Sequence, residues 1–234
     1  LGKAAPLAVL QGPQRLRLWF GSEPLMPVSR RPVLGMIAAA AAALALSACQ
    51  GGGDYAPTQG DIALGSADAP VTIVEYFSVT CHACQQFHTG VFPTIKEQFI
   101  DTGQVRWVYR ELLTAPRPVS LAGFQIARCG EATPEQYAAR VSVMFDRQND
   151  ILAAAQAGGG AAVRERLASI GLQSGLTQDQ IDACLADPSG QDRVRAVETQ
   201  AEADQVTGTP TLILNGEPLR QANQYTIEGL SALL

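Results

Sequence analysis

Lysine is almost missing from this chain. Only Lys3 and Lys96 occur among 234 residues, and charged residues of both signs make up 17%. Positive charge thins further along the chain, because Lys3, Arg15, Arg17, Arg30 and Arg31 all precede Cys49, as does Glu23. The remainder holds 12 basic and 21 acidic residues, a balance of −9 against −5 for the whole chain. No basic stripe follows Cys49, which excludes a phosphate-clamping surface and with it nucleic acid as a partner. Long apolar runs are also lacking. Residues 33–48 (VLGMIAAAAAALALSA) are too short and too Ala-rich to read as a membrane span. No internal repeat is evident, and no strand signal occurs between Val119 and Val206.

The apolar run is nonetheless informative. Arg30 and Arg31 precede it and small residues close it, which is the layout of an export signal. Its end, Leu46-Ser47-Ala48-Cys49, resembles the bacterial lipoprotein signal, in which the Cys becomes the lipidated first residue of the mature protein. Residues 26–48 are therefore expected to be a lipoprotein-type signal peptide and Cys49 to carry lipid. Residues 49–60, with Gly51-Gly52-Gly53 near their start, are expected to form a flexible tether. Ser29-Arg30-Arg31 also resembles a twin-arginine export signal, which leaves the export route open. With Met26 as the start, residues 1–25 are expected to be untranslated or absent from the mature protein.

Beyond the tether, Asp61 to Gly65 reads as a short edge strand. Val71 to Phe77 (VTIVEYF) reads as a buried one, from its β-branched and aromatic content. Ser78-Val79-Thr80 is a short polar connection. From Cys84 to Phe99 the apolar residues Phe87, Val91, Phe92, Ile95 and Phe99 fall at helical spacing, and Pro93 predicts a kink. Gln104 to Leu112 is a second strand. Helical stretches follow near 119–130, 134–147, 161–170, 177–186 and 189–206, broken by Thr133-Pro134, Gly158-Gly159-Gly160, Gly171 and Pro188. Thr133 with Pro134, and Thr177 with Gln180, have the chemistry of helix starts. Thr211 to Leu214 is a strand turned by Asn215-Gly216, and Thr226 to Leu234 a final helix. A helical block thus sits inside a small α/β unit.

Between the first buried strand and its helix lies Cys81-His82-Ala83-Cys84. A Cys-x-x-Cys pair is either a redox dithiol or half a metal site. At a helix start the unpaired N–H groups and the helix dipole favour a thiolate, with pKa values between about 3.5 and 7. Cys81, at the first position, is the expected nucleophile. Cys84, one turn in and more buried, is its expected resolving partner. His82, when protonated, would further favour the thiolate and make the disulfide more oxidising. Cys81, Cys84, His88 and His82 also have spacing that could hold zinc or copper(I), although His88 is expected to be a partly exposed helix histidine.

Val74-Glu75-Tyr76-Phe77-Ser78 leading into the Cys81–Cys84 motif, and later Val206-Thr207-Gly208-Thr209-Pro210-Thr211, resemble the DsbA-like branch of the thioredoxin superfamily. The resemblance spans residues 61–234. It implies an α/β thioredoxin fold, residues 61–115 and 207–234, with an all-helical domain inserted at 116–206. It implies that Pro210 is cis and that Thr209 offers its backbone to an extended substrate peptide. It implies that Glu75 is a buried acid relaying a proton for Cys84, an exposed edge Glu being the alternative. Implied partners are reduced or unfolded exported proteins and a membrane redox partner, with no metal and no cofactor. The family's strong oxidases carry Pro-His between the cysteines where this chain has His82-Ala83, which leaves oxidase against reductase or isomerase open. Reductases and isomerases of the fold usually dimerise through an extra N-terminal domain. None is seen between Gly53 and Val71, so a monomer is expected. A metal-binding chaperone is a third, non-enzymatic reading.

Cys129 and Cys184 remain. In an exported protein an even remainder points to a disulfide, closing a loop of some 55 residues, with two buried free thiols as the alternative. The expected location is periplasmic, anchored to a bacterial membrane through lipid on Cys49.

Overall fold

A computed structural model describes residues 57–234. The expectations for residues 1–25, for the signal segment 26–48, for Cys49 and for most of the tether lie outside the described residues.

Among the described residues five strands form one sheet: β1 (Ile62–Leu64), β2 (Val71–Phe77), β3 (Val105–Glu111), β4 (Thr211–Leu214) and β5 (Glu217–Pro218), in the order β1-β3-β2-β4-β5. Only β2 and β3 run parallel; β1 pairs antiparallel with β3, β4 with β2, and β5 with β4. The centre of the sheet is the VTIVEYF segment, buried on both faces as its near-continuous β-branched and aromatic run requires. Alternation along it divides the core. Ile73 and Phe77 pack with Trp107, Tyr109 and most of the helices. Val74 and Tyr76 join Val108, Ile213, Val197 and Ala201 on the opposite face.

After the dithiol, α1 (His82–Gly90) stops at Val91, and α2 (Phe92–Ile95) restarts with Pro93 in its first turn, where no intrahelical donor is needed. A π turn, Lys96–Ile100, follows. At the kink expected from Pro93, Val91 joins the two helices in right-handed geometry (φ −110°, ψ −51°). Between β3 and β4 lie α3 (Arg117–Arg128), α4 (Pro134–Asp146), α5 (Gln148–Gln173), α6 (Gln178–Ala186) and α7 (Ser189–Ala203). Thr133 and Thr177 each form a complete capping box. The helical block is not wholly separate from the sheet, since Val197 and Ala201 of α7 cover its second face.

Two stretches differ from expectation. Helix α5 begins at Gln148, not near 161, and only Gly159 (φ 64°, ψ −153°) leaves helical geometry. Residues 149–157 carry Ile151 as their one buried side chain. Apolar spacing therefore gives no signal there, and alanine propensity forms the helix. The last helix, α8 (Ile227–Ser231), is shorter than expected, with Thr226 accepting from the Gly229 N–H at its start.

Candidate active site

Cys81 caps α1. Its extended backbone (φ −85°, ψ 118°) lets Sγ accept from the Cys84 N–H at 3.1 Å. Cys84 is fully buried and Cys81 half-buried, and neither is in a disulfide. The Cys84 thiol donates to Cys81, which lowers the Cys81 pKa from 9.0 to about 6. Partial burial opposes this, while the Thr209 hydroxyl and the Cys84 and Ala83 N–H groups reinforce it. Cys84 moves the other way. Burial raises it far above the ordinary thiol value, and the charges of Cys81 and Glu75 add to the rise.

The Thr209-Pro210 peptide is cis and its loop lies against the dithiol. Thr209 acts on Cys81 with both signs. Its carbonyl, 3.2 Å from Sγ, accepts from a thiol and favours it, whereas its hydroxyl favours the thiolate. His82 is exposed and its Nε2 meets the Gln86 amide at 3.3 Å. None of the hydrogen bonds to Cys81 Sγ comes from His82.

The Cys81 shift gives the reduced protein a pH-dependent stability. The folded value lies below the unfolded one, so the contribution is complete above about 9 and lost as pH falls through about 6. Its ceiling is about 1.4 kcal/mol per pH unit within that window. Solvent screening at a half-exposed sulfur reduces it to about 0.5–1 kcal/mol. Thermal melts are expected to show the reduced protein gaining on the oxidised one between pH 6 and pH 8. Parallel curves would contradict the shift.

Beneath the dithiol, Glu75 is 0% exposed on the central strand. The Nε2 of His88 lies 2.9 and 3.0 Å from its two oxygens, and the Trp107 indole donates to Oε2 at 3.0 Å. Glu75 is therefore a core carboxylate, not an edge one, and its burial is offset by two donors. The expectation for His88 is corrected: it is 7% exposed, stacked on Phe145 at 4.6 Å between ring centroids. One turn beyond buried Cys84 and one before buried Phe92, it shares their inward face, and that spacing is the signal that could have placed it. With Nε2 committed to Glu75, His88 has no free ligand face there. Among the described residues no group of three or more His, Cys, Asp or Glu is arranged to hold a metal ion.

The connection Ser78-Val79-Thr80, read from sequence as simply polar, is buried. Ser78 Oγ lies 2.7 Å from Ser120 Oγ on α3, and the Thr80 hydroxyl donates to the Thr114 carbonyl at 3.2 Å. Gly123 lets α3 approach closely, since a Cβ there would lie 2.7 Å from Val79 Cγ2. Cys129 and Cys184 are joined, with Cα atoms 5.7 Å apart and a sequence separation of 55. Closing such a loop contributes about 2–4 kcal/mol. Arg140, buried nearby, donates to the Ala127 and Cys129 carbonyls at the end of α3.

Known proteins share this fold. The family model described as Thioredoxin matches residues 57–234. A protein of Rickettsia bellii (strain RML369-C), named as a candidate protein-disulfide oxidoreductase, is 29% identical over 177 residues, covering 75% of this chain and 64% of that protein. The chain spans about six-tenths of the length of the curated relatives it matches. Among solved structures, Wolbachia pipientis alpha-DsbA1 superposes with a TM-score of 0.63 at 24% identity, over 76% of this chain and 90% of that one. Oxidised BdbD from Bacillus subtilis gives 0.65 at 18%, over 77% and 94%. The fold is that of these DsbA-type structures, and since one family model reaches across all the described residues, the chain belongs to the thioredoxin family.

Proposed function

We propose that this chain is an exported thiol–disulfide oxidoreductase that passes a Cys81–Cys84 disulfide to reduced or unfolded exported proteins. The observation that carries the reading is the split between the two sulfurs, Cys81 lowered to about 6 and Cys84 raised far above the thiol range. A substrate thiolate attacks Cys81 Sγ of the disulfide, and Cys84 leaves and takes up a proton. A second substrate thiolate then attacks the substrate sulfur of the mixed disulfide. Cys81 departs as a stabilised thiolate, and two electrons have moved to the dithiol. Because Cys84 holds its proton, it returns slowly to the mixed disulfide, which favours completion of substrate oxidation.

Thr209 and Pro210 form the peptide-docking edge. In the Cys81–Cys84 disulfide Cys81 carries no thiol donor for the Thr209 carbonyl, which leaves that oxygen free for a substrate N–H. Glu75 relays the proton that Cys84 gains and loses. His82, exposed and in contact with the Gln86 amide, makes no hydrogen bond to Cys81 Sγ. Cys129–Cys184 fastens α6 to the end of α3. Disulfide exchange needs no cofactor. The lipoprotein-like segment ending in Cys49 supports a periplasmic, lipid-anchored monomer reoxidised by a membrane partner. Among the described residues no helix is long and apolar enough to cross a membrane. Residues 61–115 with 207–234 form the redox unit, and 116–206 the helical insertion.

The reduction potential of the Cys81–Cys84 pair, measured against glutathione, tests oxidase against reductase. The oxidase reading predicts a value toward about −120 mV, and one near about −270 mV would overturn it.

A further inference from the structure

We infer that Gln148 is a positioning residue for the dithiol: from the helical block it pins the Cys81 backbone and so sets how strongly the Cys81 thiolate is held. The inference rests on Cys81–Cys84 being the redox pair.

Gln148 opens α5, outside both the dithiol motif and the cis-proline loop, and is 1% exposed. Its Nε2 donates to the Val79 carbonyl at 2.9 Å and to the Cys81 carbonyl at 3.0 Å. Two acceptors facing one amide fix its orientation, because the flipped amide would set Oε1 against two carbonyls. The Oε1 atom is buried without a partner. An apolar side chain of the same size would avoid that penalty and pack as well. What such a side chain lacks is the pair of donors, so the donors are what this position supplies.

Both donors end on the loop that carries the nucleophile. The Cys81 carbonyl also accepts the first hydrogen bond of α1, from the Gln85 N–H at 3.0 Å. The Gln85 side chain in turn donates to the Phe145 carbonyl at 2.7 Å, near the end of α4. The corner between α4 and α5 and the first turn of α1 therefore hold each other reciprocally. Among the described residues Gln148 makes the only hydrogen bond from the helical block to Cys81.

The consequence for the sulfur follows from capping geometry. Cys81 Sγ meets the Cys84 N–H because the Cys81 backbone is held extended while the next residues are helical. The ψ angle of Cys81 sets where its carbonyl points, and Gln148 fixes that carbonyl. Without the pin only the Gln85 N–H restrains the Cys81 carbonyl, so the peptide is held less firmly, the cap bond lengthens and the thiolate loses part of its support. The groups acting directly on Sγ are Cys84, Ala83 and Thr209. Gln148 acts through the backbone and touches no reacting atom.

The test uses Gln148→Met, which keeps length and volume without the donors, and Gln148→Asn, which keeps an amide too short to span both carbonyls. Arg147→Ala is the control, because it breaks only an exposed contact to Gln173 at the same corner. Thermal unfolding of the oxidised forms checks folding. The reduced forms are then titrated by thiolate absorbance and equilibrated with glutathione. Both Gln148 variants are expected to raise the Cys81 midpoint by about half to one pH unit. That moves the glutathione equilibrium about three- to tenfold towards a less oxidising pair. Arg147→Ala should move neither. Should one Gln148 variant fail to fold, the other decides. An unchanged midpoint in a folded variant, or an equal shift in Arg147→Ala, overturns the inference. An unmutated protein whose Cys81 titrates near the ordinary thiol value would instead overturn the proposed function.

Discussion

A Cys81→Ser protein is expected to oxidise a reduced, unfolded substrate no faster than buffer does. A hydroxyl cannot form or leave a mixed disulfide, and no other free thiol among the described residues can substitute, because Cys84 is fully buried. The lowered pKa adds to the effect. A thiol titrating at about 6 is mostly thiolate at neutral pH, whereas one at 9.0 is about one per cent ionised. The two cysteines thus differ in kind, and their serine variants should too. Cys84→Ser keeps the half-buried nucleophile but removes the resolving sulfur. Its Cys81 thiolate should therefore attack a disulfide of an unfolded protein, release one of that protein's sulfurs as a thiolate and hold the other as a stable mixed disulfide. Non-reducing gels with a disulfide-containing unfolded protein distinguish the two variants. Activity retained in Cys81→Ser, or adducts equally abundant in both, would remove Cys81 as the nucleophile.

Glu75→Gln is expected to slow the exchange step in which Cys84 changes protonation by about 10–100-fold, the lower range for loss of a general acid–base. The Cys81 midpoint should stay near 6, because Glu75 acts on Cys84 and is not among the groups acting on Cys81. The amide is the informative substitution. It preserves volume, and His88 can change tautomer to accept from the new NH2 group while Trp107 keeps an oxygen acceptor. Glu75→Leu would instead strand both donors in the core. Each buried donor left without its acceptor costs about 1–3 kcal/mol and would confound the rate. Rapid-mixing kinetics across pH, with thermal melts of the same samples, separate the two roles. An unchanged rate would leave Glu75 as a packing partner of His88 and Trp107 alone.

Much of this site could be read along the chain because its chemistry is local. The dithiol, the helix that begins on it and the strand before it lie within one short segment, and capping acts through backbone only a few residues away. Thr133 and Thr177 show the same legibility, since a capping box is complete within four residues. The fit of Cys129 to Cys184 followed from counting cysteines but needed the fold to bring them to 5.7 Å. Where side chains meet across elements, composition was silent or misleading. His88 reads as an ordinary polar helix residue until Glu75 and Phe145 are packed against it.

The sequence by itself therefore determined the Cys81–Cys84 pair at a helix start and the order of strands and helices. Both rest on residue types whose preferences act over a turn or a strand, whereas the loop that faces the dithiol came only from the family resemblance. Only the tertiary structure decided what surrounds the sulfurs: Glu75 held by His88 and Trp107, the Thr209 carbonyl on Cys81, and Gln148 reaching in from a helix 67 residues away. Buried polar groups must find partners wherever the fold supplies them, and those partners have no fixed distance along the chain.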